Sequence, residues 1–382
     1  MGNRNNLFKK FFESEKSGGL TLIFFTLLSL VLANTEFSSE YVRFWQNDLG
    51  PMTIEHWVND VLMSIFFLLI GLELKREFKE GELSSWRNAS LPIFSALGGM
   101  IIPALIFIGF NYYQPTINGF GIPMATDIAF ALGILSLLGN RVPLSLKIFL
   151  TALAVIDDLG AVLVIAIFYT STIFWLYLGL AIAVFGLMLL LNKLKVVSLL
   201  IYLPLGVLMW YFMHHSGVHS TIAGVLFAFA LPSDDMKGKT DPSERLQRAL
   251  HIPVPYIILP IFALANTAIP FLFGLNNSFV ESVGAGVLIG LVIGKPLGIF
   301  LFAFVAVKLK LSTLPNKVNW LKLIGAGILG GIGFTMSIFV TILAFEDEQT
   351  INKTKIFVLI SSLAASLAGL IWLHLSLPRK SK

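Results

Sequence analysis

Four ionisable residues lie in stretches that are otherwise almost wholly apolar: Asp127, the adjacent pair Asp157 and Asp158, and Lys295. A charge at the centre of a membrane helix costs at least ~2.5–3.5 kcal/mol, so such residues mark function by default. Lys295 is roughly 18 Å from either end of its apolar run at 1.5 Å per residue, too far for its ammonium to reach a headgroup layer. It must pair with a carboxylate inside the protein. Three carboxylates face one lysine, so pairing leaves charge over. Adjacent helical residues point about 100° apart, so Asp157 and Asp158 cannot face the lysine equally. An unmatched carboxylate in a low-dielectric site must hold a proton or a cation. Thr126, directly before Asp127, adds a hydroxyl, and hard oxygen ligands of this kind suit Na+. A site that holds a proton or a small cation by turns is what an exchanger needs.

The elements that position these residues are hydrophobic spans. Of the 382 residues only 13% are charged and 56% are hydrophobic. A soluble domain carries roughly twice that charge fraction, so the composition points to a polytopic membrane protein. Twelve apolar stretches are predicted to cross the bilayer: 18–34, 54–79, 89–111, 119–138, 146–169, 174–191, 198–214, 216–231, 252–273, 283–308, 319–345 and 353–377. Asp127, the Asp157–Asp158 pair and Lys295 fall at the centres of spans four, five and ten. The first span, behind Lys9, Lys10 and Lys16, is read as retained, because no small-x-small cleavage site precedes Asn34. The chain is expected to form one all-α transmembrane domain over 1–382.

An even number of spans puts both termini on one side, and the basic residues say which. With alternating loops, 23 of the 27 Lys and Arg fall on the side of the termini, against Arg43, Lys353 and Lys355 on the other. The positive-inside rule makes the termini cytoplasmic. The net charge of +5 is therefore a topology signal, and no nucleic-acid partner is expected. The absence of cysteine excludes disulfides, thiolate catalysis and Cys-based metal centres.

Two spans look interrupted. Span four reads Gly-Phe-Gly-Ile-Pro-Met-Ala-Thr-Asp over 119–127, with Pro123 as the helix breaker, and span eleven reads Gly-Ile-Leu-Gly-Gly-Ile-Gly-Phe-Thr-Met-Ser over 327–337. Each is the second member of a triplet, spans 3–5 and 10–12. Discontinuous helices in corresponding positions of inverted repeats point to a transport site at the bilayer midplane. Half-helix ends there would present opposed dipoles, which Asp127 and Lys295 could offset.

With these stretches assembled, the sequence resembles the NhaA family of bacterial Na+/H+ antiporters over nearly its whole length. The resemblance rests on the run from His56 to Glu77, Pro123-Met-Ala-Thr-Asp-Ile-Ala-Phe130, Ala154-Val-Ile-Asp-Asp-Leu-Gly160, Ser216-Gly-Val-His-Ser-Thr-Ile-Ala-Gly224 and Gly294-Lys-Pro-Leu-Gly298. It implies a secondary transporter rather than an enzyme, located in the bacterial inner membrane. Such a transporter would exchange cytoplasmic Na+ or Li+ for more protons than cations and be activated at alkaline pH, serving pH and sodium homeostasis without a cofactor. It also implies roles. Asp157 and Asp158 bind the cation and exchange protons. Lys295 pairs with one of them or stabilises the broken-helix crossing, with Thr126 and Asp127 in support. Glu73, Arg76, Glu77 and His219 belong to the pH-response set, with Arg76 available as a partner for Glu73. By topology alone His219 starts span eight on the outer side and reads as a packing or capping histidine. Gln247 stands where the family commonly has a glutamate. The segment 35–53 is shorter than the outer hairpin that supports the family's homodimer, with Asp48-Leu-Gly-Pro51 available to turn the chain.

Other functional classes fit less well. An intramembrane aspartyl protease needs Tyr-Asp and Gly-x-Gly-Asp motifs, which do not occur. A rhomboid-type serine site would want Gly-x-Ser-Gly, which His214-His215-Ser216-Gly217 does not supply. A symporter for an organic solute or a passive channel has less use for paired aspartates at the midplane.

Overall fold

The computed structural model describes residues 2–170, 172–233, 241–270 and 278–377, with side chains described from 17 onward and not at 278–281. Lys237, Lys239, Arg379, Lys380 and Lys382, which enter the charge count, lie outside the described residues, as does the end of span nine at 271–273.

The chain is a bundle of helices. In order these are α1 (Gly2–Leu32), α2 (Ser38–Gln46), strands β1 (Asp48–Leu49) and β2 (Met52–Thr53), α3 (Ile54–Glu80) and α4 (Trp86–Asn111). A 3₁₀ segment, Pro115–Met124, precedes α5 (Ile128–Leu137), α6 (Leu144–Phe168), α7 (Trp175–Lys193), α8 (Leu199–His215) and α9 (Thr221–Ala230). Then come α10 (Pro242–Asn266), α11 (Ser282–Lys308), α12 (Trp320–Gly330), α13 (Phe334–Ala344) and α14 (Glu348–Ser376). Every predicted span has a helix in its place. Among the described residues seven helices are long and apolar enough to cross a bilayer, or up to nine if each of two bent pairs is one span. The expected twelve additionally needs three shorter apolar helices, Ser17–Leu32, α8 and α9.

Large apolar side chains cover the outside of the bundle; Leu200 on α8 is 84% exposed and Leu176 on α7 is 73% exposed. Such a surface would associate in water and is suited to lipid. The polar residues that should not be free are used as caps. Thr53, Asn319 and Asp347 accept from the backbone N–H three residues on and start α3, α12 and α14. β1 and β2 pair antiparallel around Gly50, with Asp48 opposite Thr53, so the expected outer turn is a minimal hairpin.

The two interruptions occur where the glycine and proline patterns place them. Pro115–Met124 and α5 bend by 44° across residues 125–127, and α12 and α13 bend by 46° across 331–333. Pro123 lies inside the 3₁₀ segment, ahead of the break itself, and its missing N–H and ring keep that stretch from continuing as α-helix. α4 and α11 meet backbone to backbone: a Cβ on Gly98 would collide with the Gly298 carbonyl, and one on Gly298 with that of Gly98. That close approach fixes the helix that carries Lys295 against the first repeat.

Candidate functional site

The two breaks touch. The Asp127 N–H donates to the Ile332 carbonyl at 2.7 Å, joining the interruption of one span to that of the other. Each break exposes one helix C-terminus and one N-terminus, four sets of unsatisfied backbone groups in a dry interior.

Asp127 serves both N-termini. Its Oδ1 accepts from Phe130 N at 2.9 Å as the N-cap of α5, and its Oδ2 accepts from Thr335 N at 3.2 Å and from the Thr335 hydroxyl at the start of α13. One carboxylate thus sits on two positive dipole ends. The C-termini are served by donors. Lys295 Nζ donates to the Met124 carbonyl, at the end of the 3₁₀ segment, and to Asp157 Oδ2. The Thr126 hydroxyl lies 2.6 Å from Asp157 Oδ2 and 2.8 Å from the Gly330 carbonyl at the end of α12. Asp127, Lys295, Thr126, Asp157 and Asp158 are all 2% exposed or less, so the crossing is shielded from bulk water.

The lysine's partner is therefore Asp157, an ambiguity that the sequence leaves open. α6 turns Asp158 away from it, as the 100° step between neighbours requires. Among the described residues, both Asp158 carboxylate oxygens and Asp157 Oδ1 are buried without a hydrogen-bond partner. A buried ion pair with unmatched oxygens beside it is costly and persists where a ligand is to be taken up.

The four residues of the expected pH-response set do not form one group. Glu73, Arg76 and Glu77 lie near the Glu80 end of α3. The Arg76 charge acts on the buried Glu73, as expected, without a close ion pair between them; the Arg76 side chain, 45% exposed, reaches Glu77 Oε1 at 3.4 Å, and Glu77 Oε2 also accepts from Glu82 N at 3.0 Å. A wet arginine head group keeps its hydration by pairing at the rim rather than turning inward to Glu73. His219 lies at the opposite end of α3. Its Nδ1 is 2.8 Å from the Thr221 hydroxyl at the start of α9, its Nε2 is 3.8 Å from Asp60 Oδ1, and its ring stands edge-on to Phe339 at 5.4 Å. His214 Nδ1 reaches the other oxygen of Asp60 at 2.9 Å. His219 thus packs against Phe339 and bonds a side chain at the start of α9. Gln247 is buried within α10.

Several residues at the crossing escaped the sequence reading. Thr335 holds Asp127, Ser362 accepts from Phe334 N at 3.0 Å, and Ser337 donates to the Ile122 carbonyl at 2.7 Å. Thr335 and Ser337 lie in the glycine-rich stretch, where a hydroxyl just after a helix break could have signalled a cap. Nothing local to Ser362 indicates the contact it makes.

Comparison with known proteins identifies the family. The family described as Na+/H+ antiporter 1 matches residues 9–373. The chain belongs to that family. It is 57% identical to the Na(+)/H(+) antiporter NhaA of Flavobacterium psychrophilum over 95% of this chain and 94% of that relative. It is 55% identical to the Na(+)/H(+) antiporter NhaA of Dechloromonas aromatica over 96% of this chain and 95% of that one. Among solved structures, a sodium proton antiporter from Methanocaldococcus jannaschii superposes with a TM-score of 0.53 at 15% identity, covering 96% and 95% of the two chains, which shows a shared fold. As a member of the Na+/H+ antiporter 1 family this protein is a multi-pass secondary transporter that exchanges sodium and protons, not an enzyme.

Proposed function

We propose that this antiporter is electrogenic. It expels Na+ or Li+ from the cytoplasm in exchange for a larger number of protons, works best at alkaline pH, and sits in the inner membrane with both termini cytoplasmic. The observation that carries the reading is the pair of unpartnered Asp158 oxygens beside the Lys295–Asp157 ion pair at the crossing of two broken helices. Asp158 and Asp157 then hold either the cation or protons. An unpaired carboxylate in a dry site is tolerated only as the neutral acid or with a cation, so the two ligands exclude each other. Entry of a cation between the aspartates competes with Lys295 for Asp157, and its departure lets the ion pair close again. Asp127 holds the half-helices, and Thr126 supports the site with its hydroxyl. The site is presented to one side and then the other by movement of the two repeats about this crossing.

The test is Na+-driven proton exchange in proteoliposomes, read against pH with membrane potential monitored and no organic solute present. Exchange that charges the membrane, accepts Li+ in place of Na+ and rises with pH is expected. Electroneutral exchange, or flux that requires an organic solute, overturns the proposal.

A further inference from the structure

Of the four arms of the crossing, the one leading into Thr126 is built least securely. Pro115–Met124 holds 3₁₀ geometry for ten residues. Such runs seldom exceed three or four residues, because side chains eclipse and the hydrogen bonds are poorly aligned. Yet its last carbonyl, on Met124, receives the Lys295 ammonium, and Thr126 and Asp127 follow directly. Any slide of this segment moves three of the site's groups together.

Side chains from other helices hold it. Ser337 reaches the Ile122 carbonyl from α13. The stronger grip comes from Tyr169, at the C-cap of α6. Its hydroxyl donates to the Asn118 carbonyl at 2.6 Å and accepts from Gly121 N at 3.2 Å, and its ring is stacked with Phe120. A Cβ on Gly121 would lie 2.7 Å from that hydroxyl, so only glycine there lets it seat. α6 is also the helix of Asp157 and Asp158, about 18 Å further back at 1.5 Å per residue. One helix therefore carries the carboxylates at its middle and, at its end, grips the peptide that faces them.

We propose that Tyr169 is a positioning residue for the cation site: its hydroxyl sets the register of the 3₁₀ arm, and hence the distance from Thr126 and the Met124 carbonyl to Asp157 and Lys295. This rests on the antiport reading above. A residue that sets ligand distances controls how well the cation binds more than how fast the loaded carrier turns over.

Two variants test it from opposite sides of the same contact. Tyr169→Phe deletes the hydroxyl and keeps the ring, while Gly121→Ala pushes the hydroxyl out. In proteoliposomes the apparent KM for Na+ is expected to rise about three- to tenfold in each, the effect of one or two lost hydrogen bonds, with the maximal rate held within about twofold. An unchanged KM in either variant overturns the proposal, as does a fall in maximal rate alone or a lowered melting midpoint at constant KM. If Tyr169→Phe does not fold, Gly121→Ala carries the same test. A parent protein without exchange counts against the antiport reading itself; an active parent with unshifted variants counts against Tyr169 only.

Discussion

The two broken spans bend by nearly equal angles, 44° and 46°, yet they are made of different chemistry. In the first, side chains do the work. Thr126 and Asp127 occupy the break, and the arm before it is a 3₁₀ run anchored by Tyr169 and Ser337. In the second, both arms are α-helical, the break is glycine, and what it offers is mostly backbone: the Gly330 and Ile332 carbonyls and the Thr335 N–H. Repeats of one architecture have thus divided the tasks. One supplies charge and hydroxyls and is held by Tyr169 and Ser337; the other supplies mainly a backbone frame, with Ser362 taking the Phe334 N–H. The difference follows from desolvation. A buried carboxylate needs several fixed donors around it, and a single frame can provide them only if it does not itself require neutralising.

The two repeats differ most at the carboxylates of the crossing, all of which lie on the first. Asp158→Asn is expected to reduce Na+-dependent proton exchange in vesicles to background, and retained exchange would remove the basis for calling this the cargo-bearing half. Next in size is Lys295→Ala, which strands Asp157 and the Met124 carbonyl. Breaking a buried pair of this kind costs about 3–5 kcal/mol, so a lowered melting midpoint or a displaced pH–activity profile is expected; an unaltered melting curve and profile would contradict the ion pair. Asp127→Ala removes the anion from two helix N-termini, at roughly 1–2 kcal/mol for each. Exchange rates should fall less than on loss of Asp157 or Asp158, because capping is more replaceable than cargo binding, and an equal or greater fall would place Asp127 among the cargo ligands. Thr335→Val should have the smallest effect. It deletes one hydroxyl while the Thr335 N–H still serves Asp127, a loss of about 1 kcal/mol. If its exchange rate and melting midpoint drop as far as those of Asp127→Ala, the second break contributes side-chain chemistry too and the division of tasks is wrong.

How much of this was legible in the chain depends on the range of the interaction. Apolar runs long enough to span a bilayer, and charges that violate them, are local statements about solvation. Asp127, Asp157, Asp158 and Lys295 were therefore visible at once, as were the two interruptions, since Pro123 and the glycines of 327–333 act on their own backbone. The partnership of Glu73 with Arg76 looked equally local at one helical turn; the Arg76 charge does act on Glu73, but its close contact is with Glu77 at the wet rim.

The sequence by itself determined that this protein lies in a membrane, where its helices are, where they break, and which charges are buried without an apolar excuse. These follow from composition and spacing, because burial in lipid taxes each residue separately. Only the tertiary structure decided that Lys295 takes Asp157 and leaves Asp158 open, that Asp127 caps two helices at once, and that Tyr169 at the end of α6 grips the 3₁₀ arm. Those are relations between segments more than 30 residues apart in most cases, and they depend on helix rotation and packing depth. No local pattern encodes either quantity.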